Sequence, residues 1–191
     1  MTSTELRGKR ARTRQRLVDH ALDLFERQGF EATTVGQIAE RAGVSQMTFF
    51  RYFASKEKVV LDDPYDPVIA EAVARQPATL PPLIRVTRGV RTALARLADW
   101  ENEVARRRAR IVAGTPALRA GMREANAATE AAIAERLIAD GVPALPARVA
   151  ATVVVAAATC ALLEWARDQD RVSLADALAT ALDTVEAGRG D

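Results

Sequence analysis

Between Thr34 and Ser45 the chain carries start, stop and restart signals so closely spaced that only short helices fit between them. Thr34 and Gln37 form a T-x-x-Q capping box: the hydroxyl accepts from the N3 amide, and the Gln side chain reaches back to the Thr34 backbone. Val35, Ile38 and Ala39 give an apolar face that ends at about Ala42. Gly43 follows, where positive φ is cheap, and Ser45 is a favourable N-cap for the next helix. Two short helices joined by a tight turn containing glycine make the helix-turn-helix pattern.

Helical spacing extends in both directions. Leu17, Ala21, Leu24 and Phe25 predict a first helix over about 10–28, stopped by Gly29, and a further short helix starts at Ser55. The stretch Asp62-Asp63-Pro64-Tyr65-Asp66-Pro67 then interrupts the pattern and marks a domain boundary. Residues 1–61 are thus expected to form a basic arm and a helix-turn-helix domain, and residues 62–191 a second helical domain. Helices are predicted there over about 68–75, 80–98, 102–112, 116–140, 146–167 and 173–185. Thr115-Pro116 places an N-cap before Pro at N1, and Ser173-x-x-Asp176 is a capping-box variant. No strand-like alternation persists, so the expected fold class is all-α.

Charge separates the same two parts. Residues 1–61 hold 11 Lys/Arg against 7 Asp/Glu, whereas residues 62–191 hold 16 against 18. Within the first sixteen residues Arg7, Lys9, Arg10, Arg12, Arg14 and Arg16 face a single acid, Glu5, which suggests a polyanionic partner. One cysteine, Cys160, excludes an internal disulfide and a multi-cysteine zinc site, and its apolar neighbours predict a small buried hydrophobe. The polar N-terminus carries no secretory h-region. The charge-free run Val149–Leu163, at 15 residues, is shorter than the roughly 20 that span a bilayer. A cytoplasmic, nucleoid-associated protein with no membrane contact is the expectation.

Only nine aromatic residues occur in the chain, yet Phe49, Phe50, Tyr52 and Phe53 fall within five positions beside Arg51, Lys56 and Lys58. On a helix over 45–53, Phe49 and Phe53 point inward with Val44, Ile38 and Ala39, while Gln46, Met47, Phe50 and Arg51 occupy other faces and Thr48 pairs with Tyr52. The span Thr33–Leu61, TTVGQIAERAGVSQMTFFRYFASKEKVVL, resembles the DNA-binding domain of tetracycline-repressor (TetR) type regulators. The family pattern is roughly T-T-x-x-x-I-A-x-x-A-G-V-S-x-x-T-x-Y-x-Y-F-x-S-K-E-x-L, and the likeness extends back through LVDHALDLFERQGF. TFFRYF, S-K-E and D-P-Y-D-P are also similar to an actinobacterial subgroup that includes mycofactocin-cluster regulators.

The resemblance implies that Ser45, Gln46, Met47 and Thr48 open a recognition helix in the major groove. It implies that Tyr52 and Lys56, with the start of the second helix near Thr34, contact phosphates. Phe50 departs from the pattern: a phenyl ring stands where the family usually has Tyr, leaving an apolar contact such as a thymine methyl. Arg51 rims the same surface. The resemblance also implies a homodimer through helices 146–167 and 173–185, a double-stranded operator of palindromic sequence, and repression relieved by a small apolar or amphipathic effector. An acyl-CoA is one such effector. Trp100, Met122 and Trp165 are the large apolar residues that could line its pocket, although core packing is their ordinary use.

An enzyme is not expected. His20 is the one histidine and sits a helical turn from Leu17 and Leu24, with no second histidine and no cysteine beside it. The sequence has no metal-ligand spacing and no Gly-rich phosphate loop, so neither metal nor cofactor is expected. Arg106, Arg107, Arg108 and Arg110 spread around a helix and read as a solvated surface. A non-specific architectural DNA-binding protein is the alternative function: it accounts for the basic arm but not for the second domain.

Overall fold

The computed structural model describes residues 3–62, 66–95, 99–167 and 172–188, with the side chains of 3–7, 66, 67, 94 and 99–102 outside the description. The described residues form ten α-helices and no strand. The chain divides into two compact units, Met1–Asp62 and Asp63–Asp191.

The first unit contains α1 (Ser3–Gln28), α2 (Val35–Arg41), α3 (Gln46–Phe50) and α4 (Lys56–Leu61). Leu17, Val18, Ala21, Leu22 and Phe25 of α1 are buried with Ile38 and Ala39 of α2, Phe49 of α3, Phe53, and Val59 and Val60 of α4. Burying a side chain of this size stabilises the fold by roughly 1.5–3 kcal/mol, so a handful of large residues suffices. Phe49 and Phe53 lie 5.7 Å apart between ring centroids, and Phe25 and Phe30 5.0 Å apart.

Two elements differ from their sequence reading. Helix α1 starts at Ser3 rather than near residue 10, because Glu, Arg and Lys are good helix formers even without an apolar face. Helix α3 ends at Phe50 with Arg51 as C-cap, rather than running to residue 53. The Phe53 amide nevertheless donates to the Phe49 carbonyl at 3.0 Å, which keeps the two rings together.

The second unit contains α5 (Asp66–Ala74), α6 (Pro82–Leu94), α7 (Asp99–Gly114), α8 (Pro116–Ala139), α9 (Ala144–Arg167) and α10 (Leu174–Ala187). Its main core joins Val73 of α5, Val86 and Val90 of α6, Ile133 and Leu137 of α8, Leu182 of α10, and Ala147, Ala150, Ala151 and Val154 of α9. Small residues set the spacing here. A Cβ on Gly89 would stand 2.4 Å from Val73 Cγ2 and 2.6 Å from Val73 Cα, so α5 and α6 pack at a separation only glycine permits. Arg85, 1% exposed, pairs with Asp140 at the C-cap of α8; Arg136 binds the same carboxylate oxygen at 3.1 Å. The hydrogen bond from Arg85 holds the Asp140 carboxyl below its ordinary value.

Helix α9 passes by length and composition as a membrane span, but its buried face belongs to the core just described. The opposite side is exposed. Leu145, Val149, Val153, Ala156 and Cys160 recur every three or four residues as an apolar stripe. Cys160 is therefore a surface residue and not the buried hydrophobe expected from its neighbours. A helix that is apolar all round offers no periodicity from which its outer side could be read.

Candidate DNA-binding surface

The turn between α2 and α3 forms as its residue types dictate. The Gln37 amide donates to Thr34 Oγ1 at 3.2 Å, and the Thr34 amide donates to Gln37 Oε1 at 2.9 Å, completing the capping box. Gly43 has φ 65°, a left-handed conformation that a Cβ would strain. Ser45 Oγ accepts from the Thr48 amide at 3.1 Å and lies 3.1 Å from Thr48 Oγ1. Caps of this kind are each worth about 1 kcal/mol and fix where α3 begins. The guanidinium of Arg16 donates to the Ala42 carbonyl, tying α1 to the turn.

Helix α3 carries its large inward residue, Phe49, fully buried and presents the rest to solvent. Met47 is 78% exposed and Phe50 is 53% exposed; Ser45, Gln46 and Arg51 are exposed, and Thr48 and Tyr52 half-buried. Apolar side chains left this open on a buried aromatic support are unusual, and they give the surface a mixed polar and apolar face suited to base edges and thymine methyls. The Phe50 ring meets Phe49 edge-on at 5.5 Å. It is held in place without a hydroxyl.

Lys56 is engaged within the protein. Its ammonium donates to the carbonyls of Phe30 at 2.9 Å, Thr33 at 3.1 Å and Glu31 at 3.4 Å, and lies 4.3 Å from the Phe30 ring centroid. An ammonium has three hydrogens, and carbonyls of the α1–α2 connection take all three. Lys56 thus organises that connection. Thr34 likewise spends its hydroxyl on the cap while its residue remains exposed.

The basic segment of α1 supplies residues that sequence reasoning left out of the surface. Arg10 lies 5.9 Å from the Tyr52 ring centroid and Arg14 4.8 Å from that of Phe53. The run of cations was visible in the sequence, but its position beside α3 needed the fold.

In the second unit the three residues proposed for a pocket are not equivalent. Trp100 lies outside the residues whose side chains are described. Met122 is half-buried on α8. Trp165 is buried in a cluster with Ala161, Leu174 and Leu178, to which Met122 does not belong. The Arg106 guanidinium lies 4.5 Å from the Trp165 ring centroid, and the indole N–H has no hydrogen-bond partner among the described residues. An open apolar groove of about 480 Å³ lies elsewhere, lined by Pro82, Leu83, Pro146, Val149, Val153 and Val185 among others. No group of three or more His, Cys, Asp or Glu residues among the described residues is arranged to hold a metal ion.

Comparison with known proteins agrees with this architecture. Residues 17–62 match the family described as bacterial regulatory proteins, tetR family, and residues 80–190 match the MftR C-terminal domain. The chain is 31% identical over 193 residues to MftR of Mycobacterium tuberculosis (strain ATCC 25618 / H37Rv), a protein named for transcriptional regulation of mycofactocin biosynthesis; the match covers 94% of this chain and 92% of that one. It is 44% identical over 97 residues to the HTH-type transcriptional regulator TcmR of Streptomyces glaucescens, covering 50% of this chain but only 43% of TcmR. The crystal structure of Thermus thermophilus FadR, a TetR-family repressor in complex with lauroyl-CoA, shares the fold: TM-score 0.52 at 24% identity, over 93% of this chain and 95% of that one.

Proposed function

The chain belongs to the TetR family of transcriptional regulators, and from that premise we propose that it represses transcription by binding a palindromic operator as a homodimer and is released by a small amphipathic effector. The observation that carries the DNA-binding reading is the outward face of α3, where Gln46, Met47 and Phe50 stand clear of the core on the buried support of Phe49. Ser45, Gln46, Met47 and Thr48 would read base edges, Phe50 a thymine methyl, and Arg51 and Tyr52 the flanking phosphates. Selection of bound sequences from a random-core duplex pool tests this. A single palindrome should emerge, and Gln46→Ala should change the bases preferred at one position of each half-site. A pool that returns no common sequence would point to architectural binding instead.

Dimerisation would use the outward side of α9 together with α10. Leu145, Val149 and Val153 form an exposed apolar stripe of the kind that a second copy covers, and a two-fold axis through it matches a palindromic site. Sedimentation at micromolar concentration should show a dimer, and Val149→Glu with Val153→Glu should give a monomer. A wild-type monomer would remove this part of the proposal.

The effector would occupy the interior of the second unit. Trp165 supplies a buried N–H with no partner among the described residues and a ring crossed by Arg106, a polar feature within apolar surroundings, which suits an amphipathic molecule such as an acyl-CoA. Its binding would shift the population toward a conformer unfit for the operator, by no more than its difference in affinity between the two conformers. Titrating lauroyl-CoA into a Trp100→Phe variant should change Trp165 emission and release DNA; emission and DNA binding both unchanged at saturating ligand would exclude this class. Such a regulator acts in the cytoplasm, on the nucleoid.

A further inference from the structure

The basic half of α1 is unused by the reading above. Lys9, Arg10, Arg12, Arg14 and Arg16 place five cations in eight residues with no acid between them. Among the residues whose side chains are described, no carboxylate forms an ion pair with any of the five. Among the residues of α1 whose side chains are described, the first buried one is Leu17, so the cations over 9–16 are not part of the hydrophobic core of the first unit. They are nevertheless aligned by contact with the end of the recognition helix. Arg10 lies across Tyr52, Arg14 across Phe53, and Arg16 holds the Ala42 carbonyl at the turn.

These contacts sort the cations. Arg14 and Arg16 are turned toward the turn and α3, where the ring face and the carbonyl take them up. Lys9, Arg10 and Arg12 are exposed. Arg10 is exposed and its guanidinium carbon lies over the Tyr52 ring face at 5.9 Å, within the reach of a cation–π contact, so a group with paired donors for an oxyanion stands beside the end of α3.

We propose that α1 is a second element of the DNA-binding surface: Arg10, held on the Tyr52 ring, takes a backbone phosphate of duplex DNA, and Lys9 and Arg12 continue that contact along the same strand. Tyr52 is a positioning residue for Arg10 as well as a neighbour of the phosphate. The proposal rests on α3 facing DNA, and it assigns α1 a share of affinity that is independent of sequence.

The test uses the full chain and two probes, a duplex selected from a random-core pool and a duplex of random sequence. Binding is measured across a salt series for wild type, Arg10→Ala and Arg10→Lys, with thermal unfolding as a check on folding. Arg10→Ala should weaken both complexes by about tenfold and reduce the slope of log K against log salt by about 0.9, the value of one phosphate contact. The selected sequence should stay the same, and Arg10→Lys should restore the slope because it restores the charge. The effect of Arg10→Ala should persist in a Tyr52→Phe background, which keeps the ring, and shrink in Tyr52→Leu. Wild type binding steeply with salt while Arg10→Ala matches it in affinity and slope would overturn the proposal and leave the α3 reading standing. Wild type that binds neither duplex would overturn both.

Discussion

The two units of this chain hold together by opposite means. The first relies on a few large side chains and on polar caps at fixed positions: Phe49, Phe53, Ile38 and Leu17 in the core, Thr34 with Gln37 and Ser45 at the helix starts. The second relies on many small side chains along α9 and on one close approach at Gly89. A core of large residues concentrates stability at a few sites, and each must be of a particular shape. A core in which alanines and valines along one helix fill the space between a few larger residues spreads it, and the small positions matter less unless a backbone approach depends on them. That contrast can be broken or sharpened by substitution.

The largest effect is expected in the first unit. Phe49→Ala should destabilise it by about 3–5 kcal/mol, enough to abolish DNA binding, whereas Val154→Ala in the second core should cost about 2 kcal/mol. Urea unfolding followed by circular dichroism measures both, and equal losses would break the contrast. Gly89→Ala comes next. Helix propensity alone would favour alanine by up to about 1 kcal/mol, but contact with the Val73 backbone should instead give a loss of about 1–3 kcal/mol. A neutral or stabilised variant would mean that α5 and α6 can separate freely. Thr34→Ala should cost about 1 kcal/mol through loss of the capping box, with Thr34→Ser recovering most of it.

The smallest effect is a pH dependence in the second unit. Arg85 holds the Asp140 carboxyl below its ordinary value in the folded state. This contribution is therefore fully present above the ordinary carboxylate range and is lost as the pH falls through the lowered value. Between about pH 5 and pH 3 the wild type should lose more stability than Asp140→Asn does, as read from melting temperatures. Parallel melting curves for the two proteins would remove the ion pair from the account.

The same contrast decides what could be read from the sequence. Thr34, Gln37, Gly43 and Ser45 were legible because each makes a local contact, within three or four residues, that its chemistry announces. The inward and outward sides of α3 were legible because Phe49 and Phe53 are large and four apart. The partners of Lys56 were not, since they are backbone carbonyls 23 to 26 residues away and any lysine has the same charge. The approach of Gly89 to Val73 needed the pairing of α5 with α6, which no periodicity states. Arg85 lies on a helix whose pattern marks it as one more surface cation, yet it is buried on Asp140. Distant polar contacts and small-residue packing are tertiary facts, and they carry no local signature.

The openness of Met47, Gln46 and Phe50 has an evolutionary consequence. None of the three supports the fold to any large degree, so substitutions there leave folding nearly untouched and, on the function proposed above, alter only what is recognised. Duplicated genes of this type can thus diverge in their targets one residue at a time without first acquiring compensating changes. Phe49, one position away, has no such liberty. The boundary between what can drift and what cannot runs between two adjacent phenylalanines.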